Sequence, residues 1–392
     1  MCTRIFNSLN PSFPMTGRNF DWHNPLTTYL YRLPSGGSVR FGIDKSPNNE
    51  AIHSWRAKYS SICTYLGDDN LGLAAIDGIN EKGLVVNGLE DLFAYFKNLT
   101  DIVKSDNAIP QNIIDMIEAD KTTYCKQAAV PDGAVLMSSL RWVQFTLDSF
   151  KSVREAANYY RKNPDRLFVF SEFVPDGKKD DEKKTLTKLH LAISDSSGNS
   201  AIIELRGNGF SVNESRSNNV VTVTPRYEVQ QLLLQRWKKK WDTQNEKRKF
   251  NLHSVPGGTA THQRFARASY FYQFSQPSES NQGVLGQTRS LMATCATPLN
   301  CHFESEVKSE GDTIPSATTL WCSIGEHVHL QYHLVNSSTL AHHWLDFKNM
   351  YPEPQRIKLV ENTNNKTEFY SANLYGSLAN ELTSCPAPFE KY

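Results

Sequence analysis

The sequence predicts an α+β protein built on antiparallel sheets. Short alternating segments occur in pairs separated by turn residues, helical patterns are few, and the two do not interleave in a strand–helix–strand rhythm. The chain has 392 residues, 39% of them hydrophobic, with 20 Phe, 16 Tyr and 7 Trp. That is enough apolar mass for a large core, and it excludes disorder along the whole length. No internal repeat or long low-complexity linker divides the chain. One domain is expected over residues 1–350, followed by a C-terminal extension at 351–392.

The elements follow in order. Leu71 to Ile76 and Leu84 to Leu89 read as strands joined by a turn at Gly78-Ile79-Asn80-Glu81-Lys82-Gly83. Leu140 to Phe150 has the pattern of an amphipathic helix. Ser152-Val153-Arg154-Glu155 is a capping box that opens a second helix, running to about Arg161. Leu189, Leu191 and Ile193 alternate with His190, Ala192 and Ser194, which makes a half-buried strand. The turn Asp195-Ser196-Ser197-Gly198-Asn199 leads to its hairpin partner, Ala201 to Leu205. Val220 to Thr224 is a β-branched run stopped by Pro225, and Tyr227 to Trp241 is a third helix with Val229, Leu232, Leu233 and Trp237 apolar. Trp321 to His333 is a last hairpin, expected to turn at Gly325-Glu326.

Charge and cysteines exclude several classes. Lys plus Arg (42) balances Asp plus Glu (41), so no electrostatic footprint for nucleic acid is present. There is no apolar run of membrane-spanning length, and Met1-Cys2-Thr3-Arg4-Ile5-Phe6 lacks the apolar region of a secretory signal. A cytoplasmic location is expected, with signal-independent export left open. The four N-x-[ST] sequons, at Asn98, Asn213, Asn336 and Asn365, are then chance matches. Seven dilute cysteines without CxxC spacing argue against a disulfide framework or a zinc ribbon. His327 and His329, two apart on a strand, and His342-His343 have no Cys or carboxylate at ligand spacing, so no metal is expected. Arg236 to Lys249, basic with Trp237 and Trp241 interleaved, reads as a solvated helix face whose Trp residues pack inward. Cys301-His302 lacks a third, orienting group.

The chemistry gathers at the N-terminus. Once Met1 is removed, Cys2 carries both a thiol and a free α-amino group, whose pKa lies near 7.7–8.0. One residue then supplies nucleophile and base. Sixteen residues separate Cys2 from Arg18, room for a strand to leave, turn and return antiparallel, bringing Gly17-Arg18-Asn19-Phe20-Asp21-Trp22 alongside. Arg18 would hold the thiolate by charge, and Asp21 would accept a hydrogen bond from the α-amino group.

These residues resemble the choloylglycine hydrolase family, which contains the bile salt hydrolases and penicillin V acylases. The resemblance rests on Met-Cys-Thr-Arg at the start, Gly-Arg-Asn-Phe-Asp-Trp at 17–22 and Asp-Gly-Ile-Asn-Glu-Lys-Gly-Leu at 77–84. It continues through Ile193-Ser194-Asp195 with Ile202-Ile203-Glu204, Thr222 to Tyr227, and Pro256-Gly257-Gly258 with Gln263-Arg264-Phe265, reaching about residue 335. It implies an αββα sandwich, two antiparallel sheets between helical layers. It also implies Cys2 as nucleophile, Arg18 and Asp21 as the residues that tune it, and Arg264 as a second active-site arginine. No cofactor is implied, and a homotetramer is the assembly the family suggests.

Two positions depart from the family pattern. Thr222-Val223-Thr224-Pro225 stands where the family carries a Thr-Asn-Ser-Pro motif, so Val223 replaces an oxyanion-donating Asn. Loss of one such donor typically costs about 10²–10³ in rate. Glu90 stands where bile salt hydrolases show Asn and penicillin V acylases often show Tyr, and it retains the backbone N–H. The resemblance implies a hydrolase of non-peptide linear amides (a conjugated bile salt, penicillin V, or an acyl-homoserine lactone) whose acyl group packs near Phe20, Trp22 and Phe93. The contrasting expectation is a degraded relative that binds an acyl amide or a protein partner.

Overall fold

The computed structural model describes residues 2–46, 49–91, 111–112, 115, 130–176, 186–206, 209–247, 253–299, 308–309, 312–313, 317–363 and 366–390. β1 (Thr3–Asn7) and β2 (Met15–Trp22) form the first hairpin, in the register Thr3–Asn19 and Arg4–Arg18. β3 (Thr28–Leu33), β4 (Ser61–Asp68), β5 (Gly72–Asn80) and β6 (Val85–Glu90) follow as an antiparallel meander. β7 (Leu189–Ser194), β8 (Ser200–Arg206) and β9 (Gly209–Glu214) extend that meander from β6. β10 (Val220–Thr222) pairs with β1, while β11 (Thr318–Glu326), β12 (Gln331–Asn336) and β13 (His342–Asp346) continue from β2. β14 (Gln355–Thr363) pairs with β3, so residues after 350 supply a strand of the larger sheet. The outcome is a seven-stranded sheet, β10-β1-β2-β11-β12-β13 plus Gly376–Ser377, and a ten-stranded sheet, β9-β8-β7-β6-β5-β4-β3-β14 plus two short strands at β14.

Among the described residues, five helices lie on the outer faces: α1 (Ser139–Ser149), α2 (Val153–Lys162), α3 (Tyr227–Lys247), α4 (Thr261–Phe274) and α5 (Asn281–Ala293). Three buried clusters define the layers. Ile5, Met15 and Ile324 meet Phe265, Val284 and Met292, which seats α4 and α5 on the seven-stranded sheet. Phe20, Trp321 and Leu334 meet Leu30, Ile62 and Leu89 between the two sheets. Tyr65, Val86 and Leu191 meet Trp142, Phe145 and Tyr160, which seats α1 and α2 on the ten-stranded sheet. Full burial of each such side chain is worth about 1.5–3 kcal/mol. The architecture is the αββα sandwich. Gly17 permits a close approach of α5 to β2, since a Cβ there would lie 2.6 Å from Met292 Cγ on α5.

The N-cap forms, with Ser152 Oγ accepting from the Glu155 N–H at 3.3 Å, while the Glu155 carboxylate reaches one residue further back and accepts from the Lys151 N–H at 2.9 Å. Several expectations move. β5 runs on through Gly78 to Asn80, so the turn is only Glu81–Gly83, with Gly83 at φ 78. β11 runs through Gly325 and Glu326, because Gly325 packs on Val85 and the Glu326 carboxylate is buried against His333. His327 and His329 therefore lie in the turn after the strand, not on it. Among the described residues parallel pairing interrupts the antiparallel plan: Val135–Ser138 pairs with Leu167–Phe170, with α1 and α2 as the crossover, and also with Ala51–Ile52, while β13 pairs with Gly376–Ser377.

Candidate active site

Alternation along β1 and β2 decides which residues meet. Cys2, Arg4, Phe6, Arg18, Phe20 and Trp22 turn toward the space between the sheets. Cys2 is 1% exposed. Arg18 Nη2 lies 3.2 Å from Cys2 Sγ and donates to Gly88 O at 2.9 Å. The guanidinium stacks over the rings of Phe20 and Trp321, at 4.7 and 5.0 Å from their centroids. Arg18 Nη1 stands 3.9 Å from Asp77 Oδ2. Asp77 in turn accepts from Asn87 Nδ2 and Ser323 Oγ, both at 2.5 Å. Burial pushes the Asp77 carboxyl up to about 6, and Arg18 opposes that rise. Arg18 Nε and Nη1 have no hydrogen-bond partner among the described residues.

Asp21 turns toward the helical layer. A register shift between Phe20 and Asp21 marks a bulge, and Asp21 Oδ2 accepts from Arg264 Nη1 at 2.6 Å while Oδ1 accepts from Thr319 Oγ1 at 2.6 Å. The same Arg264 nitrogen donates to Thr3 Oγ1 at 3.0 Å. Burial raises the Asp21 carboxyl and Arg264 pulls it back. Arg264 and Asp21 thus brace the strand that follows Cys2, on the face opposite Arg18.

A cavity of about 390 Å3, its open mouth included, lies against this cluster. Cys2, Arg18, Phe20, Trp22 and Glu90, all singled out from sequence, line it. Leu66, Ala74, Ile76, Gly88, Leu140, Val174, Thr187 and Leu189 complete the wall and were not anticipated. Phe93, proposed for the same pocket, lies outside the described residues. Val223 is 2% exposed and packs in the apolar cluster that holds Cys2 and Trp321, one position past the Thr3–Thr222 pair. Its neighbour Thr222 is engaged by Gln230, whereas Thr224 Oγ1 is buried without a partner among the described residues. Burial pushes the Glu90 carboxyl up to about 7. The Asp91 N–H donates to Lys188 O at 2.7 Å, and bonded and unbonded pairs alternate in an antiparallel ladder. The backbone N–H of Glu90 therefore points the other way, toward the Ala74–Ile76 side of the cavity.

Other candidates separate from this site. His327 is buried in its turn between Thr16 Oγ1 at 2.8 Å and Gly83 O at 2.7 Å, and burial pushes it down to about 4. Glu326 Oε1 accepts from His333 Nε2 at 2.6 Å, Oε2 accepts from Asn281 Nδ2 at 2.9 Å, and His333 Nδ1 lies 3.1 Å from His342 Nε2. On α3, Arg236, Lys238, Lys239 and Lys240 are exposed while Trp241 is fully buried. Cys301 and His302 lie outside the described residues. No described helix is long and apolar enough to cross a membrane.

Comparison with known proteins points the same way. Residues 121–306 match the model of the linear amide C-N hydrolases, choloylglycine hydrolase family. Penicillin V acylase of Pectobacterium atrosepticum is 27% identical over 391 residues, covering 96% of this chain and 89% of that one. The structure of penicillin V acylase from Agrobacterium tumefaciens superposes with a TM-score of 0.69 at 22% identity, covering 100% and 99% of the two chains. The C2A mutant of conjugated bile acid hydrolase from Clostridium perfringens gives 0.62 at 16% identity, covering 96% and 98%. The match over residues 121–306 and the 27% identical relative over almost the whole chain show that this chain resembles the choloylglycine hydrolase family of linear amide C-N hydrolases.

Proposed function

We propose that the protein hydrolyses a non-peptide linear amide through Cys2 and an acyl-cysteine intermediate, with the penicillin V, bile salt and acyl-homoserine lactone types as its substrate range. The observation that carries this reading is the 3.2 Å approach of Arg18 Nη2 to Cys2 Sγ on the wall of an apolar cavity. Removal of Met1 gives Cys2 a free α-amino group. That amine takes the thiol proton as sulfur attacks the amide carbonyl, and Arg18 stabilises the thiolate. The resulting α-ammonium returns its proton to the departing amine, leaving a thioester. Water, deprotonated by the same amine, then attacks the thioester; the acid leaves and the thiol is restored. With an apolar side chain at Val223, the backbone N–H of Glu90 is the donor this reading assigns to the developing oxyanion. Asp21 and Arg264 act as positioning residues for the strand behind Cys2. A homotetramer belongs to the same reading.

Amine release from a panel of glycine- and taurine-conjugated bile acids, penicillin V and long-chain acyl-homoserine lactones tests it. Turnover on at least one member, abolished by Cys2→Ala, is expected. No turnover on any member, from protein whose Met1 is shown to be absent, overturns the reading for these substrates.

A further inference from the structure

α3 and α4 meet along an aromatic seam that opens to solvent. Trp241 of α3 is fully buried and meets Tyr270 and Phe274 of α4, at 5.1 and 6.1 Å between ring centroids. Tyr270 in turn meets Phe271 at 5.3 Å and Phe274 at 4.8 Å. Phe271 and Phe274, in the last turn of α4, are each 39% exposed. On the α3 side, half-buried Trp237 stands 6.0 Å from Trp241 and carries the Lys240 ammonium 4.7 Å from its ring centroid. Arg236, Lys238, Lys239 and Lys240 are all exposed around it. Asp242 is the one carboxylate between residues 235 and 242, and α4 contains no Asp or Glu.

Cations packed this closely on one helix repel one another, and the exposed rings beside them gain nothing from water. An interfacial helix puts the same two features to use: Lys and Arg reach headgroup phosphates while Trp and Phe enter the boundary of the acyl chains. We propose that this face of α3 and α4 docks on an anionic lipid surface, with Arg236 and Lys238 to Lys240 on the phosphates and Phe271 and Phe274 inserted below them. Charge complementarity selects this occupant. A second copy related by a two-fold axis would set the same cations against each other. Protein interfaces enrich Arg and deplete Lys, and three of the four cations here are Lys. Single-stranded nucleic acid stacks on open ring faces, and Lys240 covers a face of Trp237. The inference does not depend on the amide-hydrolase reading.

The test sediments the full-length protein with vesicles of phosphatidylcholine alone and of phosphatidylcholine mixed with phosphatidylglycerol. Binding is expected to the anionic vesicles only, and to weaken as salt is raised. Replacing three lysines together, Lys238→Gln, Lys239→Gln and Lys240→Gln, is expected to lower the partition coefficient by about 10²-fold. Phe271→Ser with Phe274→Ser is expected to lower it by about tenfold at low and high salt alike. Both variants alter solvent-facing side chains, and matching thermal melts confirm that each is folded. Equal binding to the two vesicle types, binding to neither, or undiminished binding by the lysine variant overturns the proposal. Retention of a single-stranded oligonucleotide or of polyglutamate in place of anionic vesicles also overturns it and gives the face to another partner. A dimer that the lysine or phenylalanine variant dissociates, without vesicle binding, overturns it in favour of a second copy.

Discussion

The seven-stranded sheet carries two buried polar clusters only three residues apart along β11. One joins Ser323 to Asp77, Arg18 and Cys2; the other joins Glu326 to His333, His342 and Asn281. The second is complete: both Glu326 oxygens accept, and both ring nitrogens of His333 are used. Burial alone would raise the Glu326 carboxyl, but the hydrogen bonds from His333 and Asn281 outweigh it and hold the group below its ordinary value. The first cluster is incomplete. Arg18 keeps Nε and Nη1 unbonded among the described residues, burial dominates at Asp77, and the thiol lies beside a cavity. Both are buried and both are ionic, so neither property marks a site. A deficit of bonding next to open space does.

Arg18→Leu should have the largest effect. It removes the cation beside Cys2 and strands Asp77, so kcat/KM is expected to fall by at least about 10²–10³-fold and stability by about 3 kcal/mol. Adding Asp77→Asn should recover most of the stability and none of the activity, as read from urea melts beside amine release; joint recovery would show that Arg18 acts only through the fold. Glu326→Gln breaks the complete cluster, with an expected loss of about 1–3 kcal/mol and kcat/KM within about twofold of the unaltered protein. A large kinetic effect there would erase the distinction. Acid should separate the clusters more gently. The folded Asp77 carboxyl, near 6, lies above its unfolded value, so the native state takes up the proton first. Its contribution to stability is full below the unfolded pKa and is lost as pH rises through about 6. Relative to Asp77→Asn, the unaltered protein is expected to gain about 1 kcal/mol between pH 7 and pH 5 in denaturant titrations. A flat difference would mean that Arg18 holds the carboxylate ionised throughout.

What could be read in advance tracks the range of the interactions. Cys2 and Arg18 meet through one local hairpin, and Phe20 and Trp22 share the Arg18 face by simple alternation. Asp21 faces away from that side by the same alternation, and the register shift after Phe20 sets Thr319 of β11 opposite it. Asp77 stood inside a motif quoted from the sequence, yet its importance depends on Arg18 and Ser323 reaching it from the other sheet. The cavity wall from Leu66 to Leu189 is assembled across sheets and has no sequence signature at all. α4 and α5 escaped notice because polar residues such as Thr261, Arg264, Ser269 and Thr288 are buried on them and blur the apolar stripe. The last hairpin turned later than Gly325 because a buried carboxylate, Glu326, extends the strand to meet His333.

β14 has a consequence for the timing of folding. It closes the exposed edge of β3, and Arg32 Nη2 bonds Gln355 Oε1 at 2.7 Å across 323 positions of sequence. Closing so long a loop adds little entropic cost beyond that of a shorter one, but contacts of this separation slow the search for the native state. At about 5–20 residues per second, the ribosome needs roughly 15–70 s to make the chain between the two strands. Throughout that interval the β3 edge is an open template for any passing strand. Conditions that lengthen translation should therefore favour misassembly at this edge well before they touch the site around Cys2.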